Sequence, residues 1–366
     1  MFENELNKIN NKINIGLVGC GRISKNHIKA IVKEYKRCNL VAICDTDKNR
    51  LNNAKEIYYE EININKLTFN SLYEFSNYED LISAHKSRRF KLDLIVLTTP
   101  SGLHPQQTII SAESKINVCT EKPMALTTED GEKMIAACNS NNVKLFVVKQ
   151  NRLNPTLQAL RQLIKENKFG NIGVVAINVF WQRPQSYYDQ DNWRGTKKLD
   201  GGALLNQASH YVDLLEWIVG PLEGLSAIVT TRSRSIECED TAIMNLKWRN
   251  GALGTMAVTM IAYPKNIEGS ISIIGDKGSA KVGGIALNKF EYLYLEKENE
   301  IENILSSSYH TENVYGYGHY LYYKNILDTL LTNAKPICDG NSGLSSIKII
   351  NAAYKSSKFK KYVVIN

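Results

Sequence analysis

A few polar side chains interrupt the apolar stretch from Gly201 to Gly220, and the spacing of three of them suits chemistry. Asn206, His210 and Asp213 fall at i, i+4 and i+7, which on a helix puts them on one face. An imidazole there titrates near neutral pH and can take or give a proton. The same spacing also suits a histidine satisfied inside a core, so a partner and a cofactor must come from elsewhere in the chain. Glu121-Lys122-Pro123 offers a partner. It follows Asn117 to Thr120, which reads as a strand, and Pro123 fixes the turn. Lys122 thus stands at a strand's carboxyl end beside an acid, where partial burial can shift an ammonium group.

The elements that would position these groups begin with Lys12 to Val18, a short apolar strand. Gly19-Cys20-Gly21-Arg22-Ile23-Ser24 follows, then a helical pattern through Tyr35. In this G-x-G-x-x-S order Gly19 permits the tight turn, Gly21 lets backbone approach a pyrophosphate, and Ser24 is small where helix meets strand. The first helical N–H groups then meet the phosphates, which makes Gly19, Gly21, Arg22 and Ile23 expected cofactor contacts. Asp45 ends the second strand, Asn39 to Cys44, where an acid takes ribose hydroxyls. Its charge repels a 2′-phosphate, so NAD is expected over NADP. Leu92 to Thr98 reads as a buried parallel strand that ends in Thr99-Pro100-Ser101-Gly102-Leu103-His104. Such loops bind ligands in open α/β sheets, so Thr99, Ser101 and His104 join the cofactor set. Simple helix capping is an equal reading of His104. Glu121 and Lys122 complete the set, with Lys122 aimed over the nicotinamide end.

At 366 residues the chain suggests two domains, 1–148 and 149–366. Hydrophobic content of 43% and charged content of 22% are ordinary for a soluble globular protein. No apolar run is long enough for a membrane span, and the polar start shows no secretory signal, so a cytoplasmic protein is expected. The seven cysteines are scattered without a C-x-x-C pair, which argues against a disulfide framework or a metal site. The net charge of +8 comes with no long Lys/Arg block and no helix-turn-helix signal. No nucleic-acid partner is expected, while an anionic small substrate could use a local basic cluster.

The first domain continues with a helix, an irregular strand and a second helix over Phe69 to His85, and closes with a helix from Thr128 and a strand from Val143 to Val148. After Asn154-Pro155 and a helix to Asn167, strands are expected at 172–181, 223–232, 240–248, 252–260, 268–275 and 278–282. Alternation and short turns suggest an antiparallel sheet. A helix after Tyr315 to Tyr323 and a last one over 340–356 complete an α+β domain behind a Rossmann domain.

In this order, G-C-G-R-I-S, Asp45, Glu121-Lys122-Pro123 and Gly201-Gly202 before His210 resemble the Gfo/Idh/MocA oxidoreductases over nearly the whole chain. The resemblance implies that Lys122 and His210 flank the nicotinamide and the sugar carbon being oxidised. Val148-Lys149-Gln150-Asn151-Arg152-Leu153-Asn154, Phe180 to Gln185, Trp193-Arg194-Gly195-Thr196 and Asn206 to Asp213 resemble one subgroup, the UDP-N-acetylglucosaminuronate 3-dehydrogenases of surface-polysaccharide (lipopolysaccharide O-antigen) synthesis. Tyr263 to Asn266 and Val314 to His319 fit it as well. Ser24 replaces the usual Ala or Gly, and Asn206 stands where many family members carry Asp.

The resemblance implies oxidation of a UDP-linked 2-acetamido-glucuronic acid at C3, with the hydride passing to NAD. His210 suits the base by its intrinsic pKa, with Lys122 steadying the alkoxide, and the reverse assignment stays open. An amide cannot relay a proton, so Asn206 is expected to position a sugar hydroxyl. Lys149, Arg152, Arg183, Arg194 and Lys265 are available to the diphosphate and carboxylate, arginine being suited to bidentate contact, an exposed surface cation being the equal reading of each, and Asn151 is a further expected substrate contact. Tyr317 and His319 either line the sugar or uridine end or pack a domain interface. A homotetramer through the second-domain sheets, and 2-oxoglutarate as hydride acceptor, are further implications. The alternatives are another sugar or polyol dehydrogenase, an NAD-dependent glycosidase working through a transient 3-keto sugar, and a non-enzymatic NAD-binding sensor.

Overall fold

The structure, a computed structural model, describes residues 12–68, 71–296, 301–311, 316 and 318–365. In chain order the first elements are β1 (Ile13–Val18), α1 (Ser24–Lys33), β2 (Cys38–Cys44), α2 (Lys48–Ile64), β3 (Tyr73–Phe75), α3 (Tyr78–Lys86), β4 (Leu94–Leu97), α4 (His104–Glu113), β5 (Asn117–Thr120), α5 (Thr128–Ser140) and β6 (Leu145–Val147). The six strands pair in parallel in the order β3-β2-β1-β4-β5-β6. All four residues of β4 and the last four of β1 are buried, as continuous apolar strands covered on both faces must be. The order reverses beside β1, between β2 and β4, and ligands bind such sheets outside the carboxyl ends at that point. Gly19 turns the chain there with φ +93°, and a Cβ on it would come within 2.6 Å of the Thr98 carbonyl carbon.

The segment expected as one helix over Phe69 to His85 is divided. β3 occupies Tyr73–Phe75, and α3 starts only at Tyr78. Asn77 is the cause: its backbone is extended and its Oδ1 accepts the Asp80 N–H at 2.8 Å, which caps α3. Phe69 and Asn70 lie outside the described residues.

The next elements are α6 (Pro155–Lys165), β7 (Ile172–Phe180), α7 (Gln185–Asp189), α8 (Ser209–Leu214), β8 (Leu222–Thr230), β9 (Thr241–Trp248), β10 (Leu253–Thr259), β11 (Glu268–Gly275), β12 (Gly278–Gly283) and β13 (Lys289–Leu295). The chain then runs through α9 (Ile301–Leu305), α10 (Gly318–Thr332), α11 (Gly340–Phe359) and β14 (Val363–Val364). Eight strands form one sheet in the order β13-β12-β11-β7-β10-β9-β8-β14, antiparallel except where β7 meets β10. β9 shows why: Ala242, Met244, Leu246 and Trp248 are buried while Ile243, Asn245 and Lys247 face outward. The six expected strands are all present, and β13 and β14 add to them.

The chain forms two compact units. The first takes the chain up to Ala125, Glu129–Val148 and also His319–Ser342, so the C-terminal part is not the continuous domain 149–366 expected above. α10 supplies the reason: Tyr322, Tyr323, Ile326 and Leu327 are buried, and the Tyr322 hydroxyl donates to the Val147 carbonyl of β6. No helix among the described residues is long and apolar enough to cross a membrane.

The stretch from Gly201 to Gly220 is not one regular helix. Ala203–Gln207 and Leu215–Val219 are π-helical and flank α8. The wider turn closes with the Ala208 N–H on the Ala203 carbonyl at 2.8 Å, so Asn206 and His210 are not related by an ordinary helical turn. Gly201 (φ +86°) and Gly202 (φ +83°) launch this segment. A Cβ on Gly202 would strike the Glu239 carboxylate. Gly202→Ala is therefore expected to lower the unfolding free energy by about 1–3 kcal/mol through backbone strain alone. Chemical denaturation measures this, and an unchanged midpoint would show that the backbone relaxes freely.

Candidate active site

The glycine loop and Asp45 form one connected piece. Asp45 Oδ2 accepts the Cys20 N–H at 2.6 Å and Oδ1 accepts the Asp47 N–H at 2.8 Å. A carboxylate has about four acceptor positions, so lone pairs remain for ribose hydroxyls. Ser24 is 2% exposed, with Oγ donating to the Gly21 carbonyl at 2.6 Å, which suits the small residue required there. A Cβ on Gly21 would meet nothing within 4 Å, so there is open space over the loop for a phosphate. Arg22 is exposed and Ile23 half-buried at the start of α1. These residues fit a dinucleotide, with the phosphates against the N-terminus of α1.

Thr99, Ser101 and His104 follow β4. Thr99 Oγ1 donates to Gln107 Oε1 at 2.6 Å, and Ser101 is buried in a 3₁₀ turn. His104 is fully buried between two carbonyls, with Nδ1 3.0 Å from Pro123 O and Nε2 2.9 Å from Thr99 O. Burial pushes the imidazole pKa down, and the two carbonyls oppose that. His104 thus ties the loop after β4 to the loop carrying Lys122.

Glu121, expected among the cofactor contacts, is instead buried with both carboxylate oxygens turned to protein groups. Its Oε1 lies 3.1 Å from His27 Nε2, and its Oε2 accepts the Lys122 N–H at 3.1 Å. His27 Nδ1 lies 2.8 Å from the Tyr323 hydroxyl. One proton arrangement satisfies this row: Tyr323 donates to Nδ1, and Nε2–H donates to Glu121. Burial alone would push the Glu121 carboxyl up, but the hydrogen bond from His27 and the nearby His319 imidazole outweigh it and hold it well below the usual carboxylate range. Burial pushes His27 down, against the pull of Glu121. The ligand atoms of His27, Glu121 and His319 lie within 4.8 Å of one another, so they are also the group here that could hold a metal ion. Lys122 itself is half-buried just beyond β5.

In the second unit α8 carries His210, which is 9% exposed, with Nε2 3.2 Å from Gln150 Nε2. As the amide is placed, its nitrogen donates and Nε2 accepts. Gln150 was not among the expected residues. It lies in the 3₁₀ turn Gln150–Leu153, inside the motif that contains Lys149, Asn151 and Arg152, but nothing in its residue type singled it out. One helical turn on, Asp213 takes both forks of Arg152, Nε to Oδ2 at 2.8 Å and Nη2 to Oδ1 at 2.7 Å. Lys149 is 1% exposed, with Nζ on Ser346 Oγ at 2.9 Å and 3.7 Å from Asp213. Lys149 and Arg152, expected to grip the substrate's charge, are thus committed to a buried carboxylate. Asn151 is buried in the same turn.

Asn206 donates from Nδ2 to Asp200 Oδ1, and Asp200 Oδ2 accepts the Gly195 N–H at 2.7 Å. The carboxylate therefore sets the amide so that its oxygen points the other way. Arg183 Nε donates to Gln207 Oε1 at 3.0 Å, and its guanidinium stacks over Trp181 and Tyr187. Arg194 pairs with Asp191 at 2.9 Å, donates to the Tyr187 hydroxyl at 2.7 Å and stacks over the same ring. Tyr187 thus joins two half-buried arginines on one aromatic platform. Lys265 is exposed, and Tyr317 lies outside the described residues. His319, left open between substrate and interface roles, sits with its Nε2 3.7 Å from Glu121.

Residues 13–149 match the model of the oxidoreductase family's NAD-binding Rossmann fold (GFO_IDH_MocA), and residues 161–365 match that of its C-terminal alpha/beta domain. The WlbA dehydrogenase from Bordetella pertussis, crystallised with NADH and UDP-GlcNAcA, is 44% identical, with 98% of this chain and 99% of that chain covered and a TM-score of 0.89. The WlbA dehydrogenase from Chromobacterium violaceum, crystallised with the same two ligands, is 43% identical over 98% and 97% of the chains, with a TM-score of 0.87. The scyllo-inositol 2-dehydrogenase (NADP(+)) IolW of Bacillus subtilis is 26% identical over 75% of this chain and 79% of its own length.

A buried carboxyl beneath Gly202 makes stability depend on pH. Glu239 Oε1 accepts the Leu204 N–H at 2.8 Å and the Tyr354 hydroxyl at 3.0 Å. Burial nevertheless pushes its carboxyl up from 4.5 to about 7. A folded-state pKa above the unfolded one stabilises the fold fully below about pH 4.5, and this is lost as pH rises through about 7. The interval corresponds to about 3 kcal/mol. Glu239→Gln should remove that loss, so denaturant unfolding at pH 5 and pH 8 should differ less in the variant than in the wild type.

Proposed function

The chain belongs to the Gfo/Idh/MocA oxidoreductase family, and on that premise we propose that this NAD-dependent dehydrogenase oxidises the C3 hydroxyl of UDP-N-acetylglucosaminuronic acid to the 3-keto sugar. What carries the reading is the likeness along almost the whole chain to two dehydrogenases that bind NADH and UDP-GlcNAcA. The residues support it: an acid at Asp45 for the ribose, Lys122 at the end of β5, and an imidazole at His210 with an accepting nitrogen.

Bound NAD would supply the acceptor for the C3 hydrogen, which leaves as hydride. His210 takes the hydroxyl proton on Nε2, where the substrate hydroxyl replaces the Gln150 amide on the single lone pair, and Lys122 steadies the negative charge left on oxygen. Asn206, with its amide set by Asp200, accepts from a sugar hydroxyl. Arg183 and Arg194 meet the carboxylate or the diphosphate, planar guanidinium groups being suited to both. Lys149 and Arg152 act one step back, by holding Asp213 on the helix that carries His210. A cytoplasmic place in making nucleotide sugars for surface polysaccharide follows from this substrate, and 2-oxoglutarate is the proposed acceptor that regenerates NAD.

The outward face of the eight-stranded sheet fits a homotetramer. Val174, Leu253 and Ile274 stand in register on β7, β10 and β11, and Ile228 and Ile243 on β8 and β9, and all five are at least 40% exposed. Apolar rows of this kind on a sheet face mark a surface to be covered.

Anaerobic incubation with NAD and UDP-N-acetylglucosaminuronic acid should raise NADH absorbance. UDP-N-acetylglucosamine and the free sugar acid should give much less, and activity confined to a free polyol would overturn the substrate assignment. His210→Asn should slow single-turnover hydride transfer about a hundredfold or more. A near-normal rate would pass the role of base to Lys122.

A further inference from the structure

We propose that Glu121, His27 and His104 are positioning residues that hold the backbone of Lys122 from both sides; this rests on the reading of Lys122 as a group that meets the substrate hydroxyl. Four polar backbone groups from Glu121 to Pro123 have partners close by. The Glu121 N–H donates to the Leu97 carbonyl at 2.8 Å, and the Glu121 carbonyl accepts from Thr120 Oγ1 at 3.1 Å. The Lys122 N–H donates to Glu121 Oε2 at 3.1 Å, and the Pro123 carbonyl meets His104 Nδ1 at 3.0 Å. Pro123 has no N–H to place.

The carboxylate that takes the Lys122 amide is itself held. His27, fully buried on α1, reaches Glu121 Oε1 at 3.1 Å and is oriented by the Tyr323 hydroxyl of α10 at 2.8 Å. A buried ion is a costly way to fill space, and apolar side chains of similar volume would often be as stable. What the ion adds here is direction: two oxygens, one on the imidazole and one on the amide of the next residue. The backbone from which the Lys122 side chain starts is then fixed. An error of about 1 Å in a reacting group can cost about a hundredfold in rate, so a fixed starting point for that side chain is worth its cost.

The test is Glu121→Gln in the full chain, which keeps the size of the side chain but replaces one acceptor oxygen by a donor. The expected result is a kcat about tenfold or more below wild type. KM for the UDP-sugar acid, the NADH Kd by fluorescence and the thermal midpoint should stay close to wild type. If Glu121 acts through Lys122, adding Glu121→Gln to Lys122→Met should slow hydride transfer no further than Lys122→Met alone. A normal kcat in Glu121→Gln beside a slow Lys122→Met overturns the inference and leaves the functional reading standing. A normal rate in Lys122→Met removes the functional role of Lys122, and the inference with it. Losses that multiply in the double variant, or a kcat that falls only together with NADH affinity and stability, show a merely structural role and overturn the inference. Should Glu121→Gln fail to fold, His104→Asn carries the same test from the Pro123 side, with the same split between kcat and KM expected. A stoichiometric metal in the purified protein, whose chelation abolishes activity, would overturn the proton-bridged arrangement.

Discussion

An ionised carboxylate taken out of water survives only among donors, and one such group stands behind each residue proposed to do chemistry. Glu121 adjoins Lys122 and is matched by His27 and by the Lys122 amide. Asp213 lies one turn from His210 and is matched by Arg152 and Lys149. The solutions differ. Around Glu121 the partners are imidazoles and a peptide N–H, and the charge sets a backbone. Around Asp213 the partners are a guanidinium and an ammonium, and the charge braces a helix. Removing Asp213 would leave the Arg152 guanidinium and the Lys149 ammonium buried without the carboxylate they share, at about 3–5 kcal/mol.

Close backbone approach is the second demand. Gly19 against Thr98 lets the glycine loop sit on the carboxyl end of the first sheet, and Gly202 against Glu239 lets the His210 segment begin where it does. Both place polar groups that a side chain would displace: helix N–H groups in the first unit and the π-α-π segment in the second. π-turns tend to occur at functional sites, and this one comes with a buried acid under its first residues.

What the sequence made legible is what short stretches of chain decide by themselves. Gly19, Gly21 and Asp45 announce a dinucleotide loop because the turn, the phosphate and the ribose each impose a residue type. The alternation along β9 announces a half-buried strand. What stayed hidden depends on distant partners. His27 meets Tyr323 across 296 positions and Glu121 across 94, and neither spacing leaves a local mark. Gln150 meets His210 across 60 positions, and Arg152 meets Asp213 across 61. Lys149 and Arg152 looked like surface cations available to an anion, because charge is visible in a sequence and burial is not. Asn206, His210 and Asp213 were read on a regular helical period, which the π-turns break.

The return of α10 to the first unit bears on how the protein is made. A ribosome releases the six strands of the parallel sheet long before it releases residues 319–342, yet Tyr322 on β6 and Tyr323 beside His27 belong to that unit's interior. The nucleotide-binding half therefore emerges incomplete, with apolar surface and His27 awaiting a segment made only after strands β7 to β13. The second unit, seven of whose eight strands are synthesised in between, is completed later still, when β14 pairs with β8. A fragment cut at Val148 would lack part of its own core, so the boundary at which the sequence motifs change is not one at which the protein can be divided.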